Sequence, residues 1–278
     1  LSRFVFTIAI PALLFRLMSD FSKLPPVDAR VLVAYFGGCL VVFAIGRAVS
    51  KVAFGHDGVA QSVFALGGVF SNNVLLGVPL VQVTLGEPAM PVVSLVVVFN
   101  ALTLWTLVSV SVEWARHSTL SAARFAATAK GVIANPIVAS ILAGTLFGFA
   151  GLALPAWLDR TLALVAQAAV PLSLIALGMG LGEHAVRAAW RVSAAIAAIK
   201  LVVQPAAVWA IARIAGLRPG ETVAVVLLAA LPVGANVYLM ARQFRTLEGP
   251  VAASLVVSTA LAAITTPLLL AILAAPRP

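Results

Sequence analysis

What this 278-residue sequence has least of is charge. Asp, Glu, Lys and Arg make up 10% of it, against about 25% in an ordinary soluble domain. A water-soluble fold of this size would have to surface itself with apolar atoms, and soluble monomers do not expose large apolar patches. A soluble enzyme is therefore excluded. So is a nucleic-acid-binding module, because the net charge of +9 comes from basic residues scattered between apolar runs rather than from a patch. A single cysteine, Cys39, and three scattered histidines exclude a disulfide framework and a zinc cluster. No metal and no cofactor are expected.

What is abundant is apolar sequence: 62% of the residues are hydrophobic and mean hydropathy is +1.11. A helix needs about 20 mostly apolar residues to span a bilayer. Nine runs of that kind are present, at Arg3–Met18, Val31–Val49, Val59–Leu85, Pro91–Val112, Val132–Ala150, Thr161–Leu181, Val192–Ile214, Thr222–Met240 and Pro250–Leu273. They are apolar all round and do not alternate, which excludes the strands of a membrane barrel. The predicted fold class is an all-α polytopic membrane protein whose short connections leave no room for a soluble catalytic domain.

Lys and Arg in the loops set the orientation. One set of alternate loops holds ten of them: Arg3, Arg47, Lys51, Arg116, Arg124, Lys130, Arg187, Arg191, Arg242 and Arg245. The other holds six: Lys23, Arg30, Arg160, Arg213, Arg218 and Arg277. The ten-residue set marks the cytoplasmic face of a cell (inner or plasma) membrane. The longest polar connection, residues 114–130, is then a cytoplasmic loop between a first repeat, residues 1–113, and a second, residues 131–278.

Those halves resemble each other at an offset near 160. Ala9-Ile10-Pro11 followed by Leu17 matches Ala169-Val170-Pro171 followed by Leu177, and Ser94-Leu95-Val96-Val97 matches Ser254-Leu255-Val256-Val257. Asn73-Val74 matches Asn236-Val237. An odd number of spans separates matched positions, so the halves are inverted, the arrangement common in secondary transporters. The second half has five spans and the first four. The expectation is that a first helix belongs before residue 1.

One span in each half is interrupted. The first reads from Gly67 through Ser71-Asn72-Asn73 to Gly77 and Pro79; the second reads Leu231-Pro232-Val233-Gly234-Ala235-Asn236-Val237-Tyr238. Proline removes a backbone donor and clashes with the preceding turn, and glycine weakens a helix by about 1 kcal/mol relative to alanine. Gly and Pro also merely kink membrane helices, but two breaks at matched positions, each with an Asn, favour a binding site. Unwound backbone at membrane depth persists only inside protein or beside a wet cavity. Each half-helix N-terminus would offer free N–H groups and partial positive charge to an anion. The candidate substrate-binding residues are Ser71, Asn72, Asn73, Pro232, Gly234 and Asn236, with Asn100 and Tyr238 nearby.

At these residues the chain resembles the auxin efflux carrier family, which includes plant PIN exporters and bacterial malonate and malate permeases. The resemblance runs over essentially the whole chain. It is carried by Ile8-Ala9-Ile10-Pro11-Ala12-Leu13-Leu14-Phe15, Ser71 to Leu80, Asn135-Pro136, Lys200-Leu201-Val202-Val203-Gln204-Pro205, and Pro232-Val233-Gly234-Ala235-Asn236 running into Ala241-Arg242-Gln243-Phe244. It implies ten helices in two inverted five-helix repeats, with broken helices crossing at the midplane, a fold like that of sodium/proton antiporters and bile-acid symporters. It also implies a scaffold from the first two helices of each repeat, a transport body from the other three that moves as an elevator, and a homodimer.

Other polar positions carry two readings each. Lys200 lies mid-span: it supports the charge of an anionic substrate, or it snorkels to the interface. Arg16 favours snorkelling. Asn100, beside Thr103, lines a cavity or bonds to a neighbouring helix, and Gln204 and Gln243 share that choice. Tyr238 contacts substrate or anchors an interface. Gly178, Gly180 and Gly182 lack the strand and the Lys-Ser/Thr of a phosphate loop and read as helix packing or a helix end. All nine acidic residues fall in loops or at span ends, so coupling to H+ or Na+ would not run through a carboxylate at the crossing. An intramembrane enzyme would need a His–acid or Cys–His pair in a span, and none is present. The reading is a secondary transporter of a small organic acid anion such as malonate, malate or an auxin-like carboxylate, in contact with membrane lipid. A passive channel and a sensor without transport are the alternatives.

Overall fold

The computed structural model describes residues 1–19, 28–116, 136–183 and 190–274. Within them all regular structure is helical. We number the helices α1 (2–19), α2 (Ala29–Phe54), α3 (Gly58–Val69), α4 (73–85), α5 (Glu87–Arg116), α6 (Pro136–Phe149), α7 (Ala156–Glu183), α8 (Trp190–Ile214), α9 (Pro219–Ala229), α10 (Ala235–Phe244) and α11 (Glu248–Ala274). Among the described residues α2, α5, α8 and α11 are each long and apolar enough to cross a bilayer unbroken. The runs expected at Val59–Leu85 and Thr222–Met240 are each split into two half-helices, α3/α4 and α9/α10. The expected loop 114–130 lies outside the described residues from position 117 onward, as does Asn135.

Local chemistry sets the helix ends. The Asp28 carboxylate accepts the Arg30 backbone N–H at 2.9 Å and opens α2, and Arg30 beside it holds that carboxyl below the usual range. At the other end Gly55 closes α2 in the left-handed region, φ +65°. Asp57 then caps α3 through the Ala60 N–H at 2.8 Å. Three helices also carry a π-turn that ends two residues before a proline: Val5–Ala9 before Pro11, Asn73–Gly77 before Pro79, and Ile199–Val203 before Pro205. A proline ring presses on the carbonyl four residues back, and widening the turn by one residue relieves that pressure. The residue before each proline then bonds five back, as Gln204 N does to Ile199 O.

Packing divides the helices. The α1 helix lies against α6 and α7, whereas α2 packs on α3, α5, α8 and α9, and α8 and α10 pack on α11. Small residues permit the closest approaches. A Cβ on Gly38 of α2 would sit 3.1 Å from the Val208 backbone of α8, and one on Gly144 of α6 would sit 2.6 Å from Phe15 O of α1. Large apolar side chains remain exposed on the outer face of many helices, among them Val52, Val83, Leu146 and Ile214, as a lipid-facing surface requires.

The two broken helices enter from opposite ends. At one end the first turns of α2 and α9 adjoin, close enough for Arg30 and Glu221 to interact electrostatically. At the other, Gly58 at the start of α3 abuts Ala115 of α5, and the Arg116 guanidinium lies 5.6 Å over the Phe244 ring at the end of α10.

Candidate functional site

The breaks meet in the interior. Ser71 and Val233 form an isolated antiparallel bridge, the single strand-like contact among the described residues. Its hydrogen bonds are Asn72 N–H to Pro232 O at 3.0 Å and Gly234 N–H to Phe70 O at 2.8 Å. Extended backbone at Phe70 and Gly234 makes this possible. Gly234 is required for space as well, since a Cβ there would lie 3.0 Å from the Phe70 ring and 3.1 Å from Ser71 O. Four half-helix ends therefore converge: the carbonyl ends of α3 and α9 and the N–H ends of α4 and α10.

Both carbonyl ends are occupied. Lys200, fully buried on α8, donates from Nζ to Ala229 O, the last residue of α9, at 2.6 Å. Gln204, one turn further and also fully buried, donates from Nε2 to Val69 O, the last residue of α3, at 2.7 Å. Lys200 thus does not snorkel; its Nζ stays at the crossing. Arg16 instead pairs across helices, its Nε 2.8 Å from Asp159 Oδ1 of α7. At the N–H ends of α4 and α10 the Asn73 N–H bonds to Ser71 O at 2.9 Å and the Val237 N–H to Gly234 O at 3.0 Å, and each helix end keeps its partial positive charge.

Tyr35 of α2, which the sequence did not single out, organises the first break. Its hydroxyl donates to Ser71 Oγ at 3.3 Å and accepts from Asn73 Nδ2 at 3.0 Å. Cys39, one turn on, lies 3.5 Å from Gln204 Nε2. On the second break the Val233 N–H donates to Ser258 Oγ of α11 at 3.1 Å. Neither carries a local sequence signal: Tyr35 is a lone hydroxyl in an apolar run, and Ser258 is one of several hydroxyls, with Ser254 and Thr259, on α11.

The expected residues do not all stand alike. Ser71, Asn72, Asn73, Pro232 and Gly234 lie at the bridge, and Asn236 is in the first turn of α10. Asn73 is 2% exposed, whereas Asn72 and Asn236 are half-buried. Tyr238 is fully buried, so it belongs to the core of the bundle rather than to a lipid interface. Asn100 is buried at the residue before the π-turn Ala101–Trp105 of α5, and α5 packs on the first turns of α4, but among the described residues no hydrogen bond joins Asn100 to the crossing. The side-chain oxygens of Asn73, Asn100 and Gln204 are buried with no hydrogen-bond partner among the described residues. Those residues hold no cluster of three or more His, Cys, Asp or Glu side chains suited to a metal.

Two comparisons bear on this arrangement. The family model described as "Membrane transport protein" matches residues 1–270. A protein of Rhizobium meliloti (strain 1021) named "Putative malonate transporter" is 28% identical over 270 residues, which cover 95% of this chain and 83% of that protein.

Proposed function

The chain belongs to the membrane transport protein family, that of the auxin efflux carriers, and from that membership we propose that it is a secondary active carrier of a small organic acid anion. Malonate, named for the Rhizobium relative, malate and auxin-like carboxylates are the substrates in view. The observation that carries the reading is the occupation of the crossing. With Ala229 O held by Lys200 and Val69 O by Gln204, the two N-termini are the ends turned to a ligand, and the buried Lys200 amine adds positive charge when it is protonated. No carboxylate lies at the crossing among the described residues. Such a site attracts an anion and repels a cation. Asn72 and Asn236, half-buried at the two N–H ends, supply amides that bond to carboxylate oxygens. Asn73, Asn100 and Tyr238 stand behind them, and Lys200 supports the charge.

The two halves are inverted repeats in this reading, consistent with half-helices that enter from opposite ends. The α1, α6 and α7 helices form a scaffold along which the other body moves as an elevator, carrying the crossing from one membrane face to the other. The protein is taken to be a homodimer in the cell membrane with residues 114–130 cytoplasmic. The test is reconstitution into liposomes with labelled malonate, malate and indole-3-acetate. Saturable uptake and counterflow of one carboxylate are expected; linear flux without counterflow would indicate a channel, and no flux of any of the three would overturn the substrate class.

A further inference from the structure

Arg47 sits at the far end of α2 from Asp28, and it is engaged in an unusual way for an interfacial arginine. Its Nη1 donates to Ser62 Oγ of α3 at 3.4 Å and to Ser111 Oγ of α5, while Nη2 donates to Gln61 Oε1 at 3.4 Å. The two serines are themselves buried and linked, Oγ to Oγ, at 2.8 Å. The guanidinium is therefore fixed in a notch between three helices by neutral oxygens alone. The acidic groups at this end are committed elsewhere: Glu113 to Arg116 at 2.9 Å, Glu248 to Arg242 at 3.3 Å, and Asp57 to the Ala60 N–H. No carboxylate among the described residues pairs with Arg47 or with Lys51, the exposed cation one turn further along the same face.

A partly buried, unneutralised charge is unfavourable unless something of opposite sign meets it. Nε–H and one Nη2 hydrogen of Arg47 are uncommitted, and they form part of a planar fork suited to phosphate oxygens. Depth agrees. At ~1.5 Å per residue, Arg47 lies ~27 Å and Lys51 ~33 Å along the axis from Ala29, which brackets the far boundary of a hydrocarbon layer of ~30 Å. Beside both cations runs the exposed apolar stripe Val33, Leu40, Val41, Ile45 and Val52, which acyl chains would cover.

We propose that Arg47 and Lys51 form a binding site for the headgroup phosphate of an anionic phospholipid. The lipid neutralises the notch where α2, α3 and α5 meet and ties the entry of the first broken helix to the bilayer surface. This site is separate from the crossing and does not depend on what is transported. A simply solvated arginine would not be held by three side chains, and a general basic surface would not single out these two cations.

The test is native mass spectrometry of the full chain in detergent, titrated with phosphatidylglycerol and, separately, with phosphatidylcholine of the same acyl chains. Phosphatidylglycerol is expected to be retained preferentially. Lys51→Gln should weaken that retention about fivefold, the value of one interfacial cation, and Arg47→Gln at least as much. Arg245→Gln, which removes an exposed cation at the same end, should leave it unchanged. Arg47→Gln also unties Ser111, so the exposed Lys51→Gln carries the test if that variant misfolds. Equal retention of the two lipids, or a Lys51→Gln variant that behaves as wild type, overturns the proposal. Displacement of phosphatidylglycerol by a large excess of inorganic phosphate would reassign the notch to a soluble anion and overturn it equally.

Discussion

Lys200 and Gln204 lie four residues apart on one helix and close the carbonyl ends of two different broken helices, Ala229 O at 2.6 Å and Val69 O at 2.7 Å. The π-turn Ile199–Val203 that Pro205 imposes between them widens the helix there and turns both side chains to the same interior. One helix thus fixes the polarity of the whole crossing. Its two donors differ in kind, one a titratable amine and one a neutral amide, and this difference separates what each should do when removed.

Lys200→Met removes the buried amine beside the crossing, and with it any charge it carries when protonated, and keeps an apolar stem. Desolvating an ammonium is unfavourable, so the fold should survive the change, but the anion loses a nearby countercharge. The expected outcome in proteoliposomes is a KM for the transported carboxylate raised at least about tenfold, equivalent to ~1.4 kcal/mol, with the protein still monodisperse in detergent. An unchanged KM would reduce Lys200 to a tie between α8 and α9.

Gln204→Met acts on stability instead. It leaves Val69 O, buried at the end of α3, with only the long Cys39 Sγ contact at 4.0 Å in place of the amide donor at 2.7 Å, and an unpaired buried acceptor costs about 1–3 kcal/mol. A thermal unfolding midpoint lowered by a few degrees, with KM little altered, is the expected result. A midpoint equal to that of wild type would mean that another group takes over the carbonyl.

Much of this was readable from residues, and the remainder was lost for physical reasons. Pro232 with Gly234, and Gly67-Gly68 just ahead of Ser71, announce the two breaks, whereas Pro79 lies inside α4, just past its π-turn. Whether Lys200 stays inside or snorkels depends on which carbonyl its stem reaches, and Ala229 is 29 residues away. Gln204 finds Val69 across 135 residues, a partner that local pattern does not reveal. Tyr35 is invisible in an apolar run until Ser71 and Asn73 are placed beside it. The matched asparagines look equivalent in sequence, yet Asn73 lies two residues past its bridge residue, Ser71, and Asn236 three past Val233. That one-residue difference turns the first into the core, and only pairing of the two breaks reveals it. Three of the π-turns were legible in principle, because a proline follows two residues after each; the turn Ala101–Trp105 has no such signal.

The three asparagines should therefore separate by experiment. Asn73→Ala removes a side chain that is 2% exposed and bonded to the Tyr35 hydroxyl, so it should lower thermal stability by about 1–3 kcal/mol. Tyr35→Phe should do the same, because it breaks the bond from the other side. Asn72→Ala and Asn236→Ala, at half-buried positions, should leave the unfolding midpoint near wild type and raise KM. If Asn73→Ala changed KM alone and Asn236→Ala changed stability alone, the assignment of roles would be reversed.

The tightest constraint at the crossing is backbone clearance, and a pair of glycines tests it. In Gly234→Ala the new methyl would meet Phe70 Cδ1 at 3.0 Å, Ser71 O at 3.1 Å and Ser71 C at 3.3 Å. The phenyl ring can give way, but the Ser71 backbone belongs to the bridge and moves only if the two breaks separate. Gly220→Ala, in the first turn of α9, meets nothing within 4 Å and should be neutral or stabilising by up to ~1 kcal/mol, the helix propensity gained. Transport by Gly234→Ala should fall well below that of Gly220→Ala at equal expression, with cross-linking of α4 to α10 as a direct readout of their separation. Equal transport by the two variants would show that the crossing accommodates a wider gap, and that the Ser71–Val233 bridge does not set the geometry of the site.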